Sequence, residues 1–262
     1  MPELPEVEIM ARNLHRWMAG RRIERVEVLD EKFDESALAS ITGCVVVRAY
    51  RRAKYAVIDF SEEQHLVLHY RMTGKTVLDP VGDRRARLRL FLDGSPPVVF
   101  EDPRRFGTCD WMTTPELEPF FASKKVGPEP WPDVRDGRWW ETQLRGLRGP
   151  IKPALMRQDR VAGLGNIAAS ESLFRAEINP TAPVPSLGSE QWDRIAEAVR
   201  AFIEHTLSEE GGDEIQYVNM GGEGSFSVYG HAGEPCPRCS GSIERMVQAS
   251  RGTYFCPGCQ SC

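Results

Sequence analysis

Between residues 5 and 18 the apolar positions Val7, Met10, Leu14 and Trp17 recur at intervals of three and four. That spacing predicts one buried face of a helix, and Gly20 ends it. From residue 22 to about residue 112 the period shortens to two, in the runs RIERVEVL, CVVVRAY, YAVIDF, LVLHY, RLRLFL and VVFE, separated by turn signals such as TG, DG and SPP. Short strands at such spacing predict a sandwich or barrel. The segment PEPWP at 128–132 admits neither helix nor strand and reads as a linker. Beyond it the helical period returns. Residues 188–207 carry Trp192, Ile195, Val199, Phe202 and Ile203 on one stripe, with Glu190, Asp193, Glu197 and Glu204 outside it. The preceding stretch, KPALMRQDRVAGLGNIAASESLFRAEI, predicts two helices joined by a turn in which Gly163 and Gly165 bend the chain and Asn166 caps the second helix. Backbone N–H groups at such a helix start suit a phosphate, although a plain helical hairpin has the same pattern.

With 262 residues, the chain exceeds the size at which one hydrophobic core stops growing, so two or three compact units are expected. Hydrophobic residues at 41% and charged ones at 27% are ordinary globular usage, and no apolar run reaches the length of a membrane span. The N-terminus, MPELPEVE, has acids where an export signal needs bases and then an apolar stretch, so a cytoplasmic location is expected. The formal charge of −5 argues against binding nucleic acid through bulk positive charge. Its distribution changes that picture. Residues 135–160 hold seven basic side chains against three acids, and RRARLR at 84–89 adds four arginines, while acids gather at 30–35 and 209–214. An acidic total therefore coexists with candidate basic surface.

Four of the seven cysteines, Cys236, Cys239, Cys256 and Cys259, form two Cys-x2-Cys knuckles with sixteen residues between them. The spacing is that of one structural zinc ion, each knuckle supplying two thiolates from a tight turn and the intervening residues forming a hairpin. Four cysteine ligands leave no open coordination position, so the metal should hold the fold and take no part in chemistry. Cys44 and Cys109 are expected to be small core residues. Arg238, Arg245 and Arg251 in the hairpin are candidates for a phosphate or a groove, though such ribbons also bind proteins or merely pin a terminus.

MPELPEVE, RRAKY at 51–55, MTG at 72–74, DPRRFG at 102–107, GLGNI at 163–167, GEPCPRC and FCPGCQ occur in one order along nearly the whole chain. In this the chain resembles the bacterial formamidopyrimidine-DNA glycosylases. The related endonuclease VIII proteins share both ends but begin Pro-Glu-Gly-Pro. The resemblance implies a catalytic role for Pro2, whose secondary amine becomes the nucleophile once Met1 is removed. An α-amino group leaves on the order of a tenth of molecules neutral at pH 7. It further implies Glu3 as general acid and base and Lys54 near the sugar and phosphate. Met72, Arg104 and Phe106 stand where the family fills the hole left by a flipped nucleotide. Asn166 and Arg251 stand at its phosphate contacts, and Lys152 is a further DNA-binding candidate.

The chain departs from the family pattern in three places. Ala168 replaces the aromatic of GNIYA, the stretch 217–230 is about five residues short of the loop that covers a flipped 8-oxoguanine, and His231 stands where an arginine often follows Tyr-Gly. The fold expected is α+β and multidomain: an N-terminal helix plus an antiparallel β-sandwich over 1–127, a helix-two-turn-helix domain over 128–221, and a four-cysteine zinc-finger β-hairpin over 222–262. The function expected is a bifunctional DNA glycosylase and abasic-site lyase of base-excision repair. It would remove ring-opened purines and 8-oxoguanine from double-stranded DNA through a proline imine and β,δ-elimination, acting as a monomer. An endonuclease VIII-like preference for oxidised pyrimidines, or a lesion or junction binder without chemistry, are the alternatives.

Overall fold

The computed structural model describes residues 2–78, 85–209 and 226–261, which fall into two compact units meeting in sequence at Lys124 and Lys125. The first opens with helix α1 (Leu4–Met18), which buries Leu4, Val7, Met10, Leu14 and Met18. Trp17, the last member of the sequence stripe, is buried with them. Eight strands follow: β1 (Ile23–Val28), β2 (Val46–Arg52), β3 (Tyr55–Phe60), β4 (Gln64–His69), β5 (Lys75–Leu78), β6 (Ala86–Leu92), β7 (Val98–Glu101) and β8 (Thr108–Thr113). A short helix α2 (Glu35–Ala39) lies between β1 and β2, and α3 (Thr114–Ser123) closes the unit.

The strands form two antiparallel four-stranded sheets, in the orders β1-β6-β7-β5 and β2-β3-β4-β8. Strand β6 keeps the strict alternation of its sequence, one face buried and the other half-covered. Strands β3 and β4 are buried on both faces apart from their first residues, and α1 packs along β2 and β3. The helix is fastened there by an ion pair as well as by its apolar stripe. Arg51 of β2, almost sealed from water, donates Nε to Glu8 Oε2 at 3.1 Å, and Glu8 also holds Arg12 at 2.8 Å.

Two strands were not predicted by the alternation. β8 (TCDWMT) lacks a β-branched apolar face and is a strand because β4 pairs with it from Gln64↔Thr113 to His69↔Thr108. β5 is four residues long. Helix α3 begins with a reciprocal capping box between Thr113 and Glu116.

The second unit contains α4 (Gly137–Leu144), α5 (Ile151–Leu155), α6 (Asn166–Arg175), the long α7 (Ser189–Glu209) and the hairpin β9 (Glu244–Gln248) and β10 (Arg251–Phe255). The linker PEPWP is irregular and includes a cis peptide before Pro132. Helix α7 buries Trp192, Ile195, Val199, Phe202 and Ile203, the stripe the sequence predicts. The hairpin belongs to the same unit as the helices. Phe174 of α6 shares a small core with Val228, Cys236, Ile243 and Cys256. Among the described residues no helix is long and apolar enough to cross a membrane. The expectation of a shortened loop over 217–230 falls largely outside the described residues.

Leu14 is fully buried in α1. Leu14→Ala is expected to destabilise the protein by about 2–5 kcal/mol, read as a lower urea midpoint at unchanged slope.

Candidate functional site

In the first unit the N-terminal residues expected to carry chemistry are built into a helix end. Glu3 is the N-cap of α1, 3% exposed. Its backbone N–H donates to Glu6 Oε2 at 2.8 Å while its own carboxylate accepts from the Glu6 N–H. Pro2, immediately before it, is buried. Both therefore sit at the end of α1 where its first backbone N–H groups and the helix dipole create positive potential. Lys54 lies in the two-residue turn between β2 and β3, made possible by Ala53 at φ +54°, and is 7% exposed.

Close to Lys54 is His69, 9% exposed at the end of β4. Its Nδ1 accepts the Arg71 N–H at 3.0 Å and its ring meets Tyr55 edge-on. Burial, reinforced by the positive charges of Arg71 and Lys54, pushes its pKa down to about 3.

Met72, Arg104 and Phe106 come from two loops. Met72 is 43% exposed in the β4–β5 turn, and Phe106 is 50% exposed in the β7–β8 loop, with the Arg104 guanidinium 4.8 Å from its ring centre. A half-exposed Met beside strands and a half-exposed Phe are not core residues, which sets aside the ordinary packing role for both. The group that organises them carries no role in the motif resemblance. Asp102, 1% exposed, accepts four hydrogen bonds: Thr73 Oγ1 at 2.6 Å, the Arg104 N–H at 3.2 Å, and the N–H groups of Phe106 and Gly107 at 2.7 Å each. Gly107 is required there, since a Cβ would stand 2.5 Å from the Phe100 ring. An Asp just ahead of a turn is a legible signal of such side-chain-to-backbone bonding. The loop is held from its other side as well. Arg105, at φ +56°, grips the buried Asp30 with two hydrogen bonds of 2.7 and 2.9 Å and holds that carboxyl below its usual range.

In the second unit α5 and α6 are joined by a turn braced by Gln158, whose side-chain amide donates to the carbonyls of Met156 and Leu164 and accepts the Gly163 N–H. The N-cap of α6 is Gly165, and the expectation that Asn166 caps it is corrected: Asn166 is the first helical residue. Its side chain turns to the hairpin instead, donating Nδ2 to the Gly252 carbonyl at 2.9 Å and accepting Lys152 Nζ at 2.6 Å.

Lys152 also departs from expectation. It is 1% exposed, and its ammonium donates to Asn166 Oδ1, Thr253 Oγ1 at 2.8 Å and the Gly252 carbonyl at 3.2 Å. Buried this way, it ties the two-turn segment to the hairpin and offers no surface charge for a phosphate. Arg251 is exposed at the hairpin tip, reached through Ala249 and Ser250, both in the left-handed region. Arg238, by contrast, lies over the Phe174 ring and donates to the last carbonyls of α6. Of the basic cluster at 135–160, Arg138, Arg145 and Arg148 are exposed, and Arg157 is paired with Asp159 at 2.6 Å.

The sulfurs of Cys236, Cys239, Cys256 and Cys259 all lie within 4.8 Å of one another, with 3.8 Å from Cys236 to Cys259 and 3.5 Å from Cys239 to Cys256. Four sulfurs about 2.3 Å from a zinc ion at tetrahedral angles stand about 3.8 Å apart, so the donor set fits one structural zinc.

The depressed pKa of His69 makes acid destabilising. The unfolded chain takes up the proton near pH 6.5 and the folded one only near 3, so stability is lost as pH falls through that window, by up to about 1.4 kcal/mol per unit. In thermal unfolding between pH 6.5 and 4.5, His69→Gln is expected to flatten this fall in Tm. An unchanged slope would place the lost stability on another group.

Residues 1–109 match the formamidopyrimidine-DNA glycosylase N-terminal domain, residues 126–217 the formamidopyrimidine-DNA glycosylase H2TH domain, and residues 233–261 a zinc finger found in FPG and IleRS. A formamidopyrimidine-DNA glycosylase of Laribacter hongkongensis is 35% identical, the alignment covering 99% of this chain and all of the relative. Among solved structures, the Lactococcus lactis Fpg bound to DNA containing an abasic site superposes with a TM-score of 0.88 at 31% identity. The same enzyme bound to Fapy-dG-containing DNA does so with a TM-score of 0.88 at 30% identity, each comparison covering 99% of this chain and 100% of the other. The chain belongs to the formamidopyrimidine-DNA glycosylase family.

Proposed function

We infer that the protein is a bifunctional DNA glycosylase and abasic-site lyase of base-excision repair that removes ring-opened purines and 8-oxoguanine from double-stranded DNA. The observation that carries this reading is the N-terminus. Pro2 and Glu3 are buried at the start of α1, so that removal of Met1 would leave a secondary amine beside a carboxylate in an ordered setting. A frayed terminus would give neither group a fixed position from which to act.

With Met1 removed, the Pro2 nitrogen attacks C1′ of the damaged nucleotide and the glycosidic bond breaks, its electron pair leaving with the base. Glu3 carries protons to and from the sugar. The C1′–O4′ bond then opens as Glu3 protonates O4′, and the resulting iminium acidifies the C2′ proton, whose loss expels the 3′ phosphate. A second elimination expels the 5′ phosphate. Lys54, buried in the turn between β2 and β3, the strands on which α1 packs, supplies positive charge toward the sugar and phosphate. Met72, Arg104 and Phe106 fill the space left by the extruded nucleotide: a flexible thioether, a donor for the orphaned base and a flat ring beside it. Asn166 and Arg251 contact phosphate, Asn166 exchanging its bonds to Lys152 and Gly252 for that contact. The enzyme acts as a monomer in the cytoplasm.

The decisive test is borohydride trapping on duplexes carrying a ring-opened purine, 8-oxoguanine, dihydrouracil or a plain abasic site, with mass mapping of the adduct. The expected result is an adduct on Pro2 with both purine lesions and the abasic site, and a loss of strand cleavage of at least about a hundredfold in Pro2→Gly. Full cleavage by that variant would assign the nucleophile elsewhere. Trapping confined to dihydrouracil and the abasic site would favour an oxidised-pyrimidine enzyme, and no adduct on any duplex would leave a binding protein.

Zinc is expected at one ion per chain by elemental analysis. Because Arg251 stands on the hairpin that the metal closes, stripping the ion with a chelator should weaken binding to an abasic-site duplex by about tenfold or more, the loss of one charged hydrogen bond. Unchanged affinity of the zinc-free protein would remove the hairpin from the interface.

A further inference from the structure

The side chains assigned to the vacated nucleotide's space arise from loops far apart in sequence, and each loop is firmly seated on its own. In the β4–β5 turn, Arg71 holds a left-handed conformation at φ +54° with its N–H on His69, and Gly74 donates to the Tyr70 carbonyl at 2.9 Å. In the β7–β8 loop, Arg105 is clamped to Asp30, and the Lys32 ammonium donates to the Arg105 carbonyl at 2.9 Å. Asp102 belongs to the second loop through three backbone N–H groups and reaches the first through the Thr73 hydroxyl, at 2.6 Å. The main chain of Asp102 is also fixed, its N–H on the Arg85 carbonyl and its own carbonyl accepting Arg87 Nε at 2.8 Å. Thr73 directly follows Met72. The Thr73–Asp102 bond is therefore a direct tie between the loop that carries Met72 and the loop that carries Arg104 and Phe106.

We propose that Thr73 and Asp102 are positioning residues that lock the two loops together, so that Met72, Arg104 and Phe106 enter the DNA stack as one preassembled wedge. The inference rests on the glycosylase reading above. A hydroxyl donating to a buried carboxylate is a strong, short bond that does not reorganise as DNA arrives, so the wedge needs no ordering of one loop by the other at the moment of insertion. Small differences in this bond are then felt in base extrusion and not in the elimination chemistry that follows.

The test uses Thr73→Val, which keeps the side chain's shape and removes its donor, and Thr73→Ser, which keeps the donor. Asp102 retains its three backbone donors in both. Unstacking is followed by the fluorescence of 2-aminopurine placed beside 8-oxoguanine, base release by single-turnover kinetics on the same duplex, and elimination on a preformed abasic duplex. Thr73→Val should slow the fluorescence rise and base release by about tenfold, the worth of one hydrogen bond to a charged group, while abasic cleavage stays within about twofold. Thr73→Ser should restore both rates, and Thr73→Val added to Met72→Ala should cost almost nothing more, as for two residues acting as a unit.

Equal losses on both duplexes with a lowered Tm and no rescue by serine would show a merely structural threonine and overturn the proposal. So would a Thr73→Val protein that matches the parent in every rate. If the parent itself neither unstacks nor releases a base, the glycosylase reading fails and the wedge with it, an outcome distinct from a working parent that the variant equals.

Discussion

A carboxylate sealed from water has to be surrounded by donors, because the charge loses its hydration and nothing apolar replaces it. Asp102 meets that requirement with four hydrogen bonds, three of them at 2.6–2.7 Å, and the shape of the exposed loops around it follows from where those donors must lie. The N–H groups of Arg104, Phe106 and Gly107 can converge on one side chain only if the chain folds back around it. That curvature is what pushes Arg104 and Phe106 outward. Exposure of an aromatic ring, ordinarily unfavourable, is here the by-product of satisfying a buried charge one turn away.

The second unit solves the same problem with the opposite sign. The Lys152 ammonium is as deeply buried as Asp102, and its donors are used on Asn166, Thr253 and the Gly252 carbonyl. Glu171 is a third case, its carboxylate accepting the N–H groups of Ser227, Val228 and Tyr229 and so anchoring the chain as it enters the cysteine knuckles. Each unit thus places irregular backbone by means of a charged side chain in its interior. Regular elements supply rigidity, and buried charges decide where the loops between them go.

Much of the fold was legible because periodicity survives into the structure. The stripes of α1 and α7 and the alternation of β6 are the buried faces, and the four cysteines converge as their spacing requires. What stayed hidden is non-local. β8 is a strand on account of its partner β4, and nothing in TCDWMT announces that pairing. The burial of Lys152 and the turning of Asn166 toward Gly252 depend on residues about a hundred positions away, so the sequence presented Lys152 as one more base in a basic run and Asn166 as a cap. Motif resemblance singles out the exposed Met72, Arg104 and Phe106 of the first unit and, separately, the exposed Arg251 of the second. It did not find Thr73, which sits inside a matched motif and whose role emerges only when the distance to Asp102 is known.

The metal ligands are not equally protected. Cys236 and Cys256 are 2% and 0% exposed beneath Phe174 and Ile243, whereas Cys239 faces solvent and Cys259 is half-covered. With zinc bound, an oxidant or a competing soft metal would reach the sulfurs from the Cys239 side, and Cys236 and Cys256 would be the sheltered ligands. The knuckles are thus sided: one corner of the four-sulfur cluster meets water and the opposite one is walled in by the packing that joins the hairpin to α6.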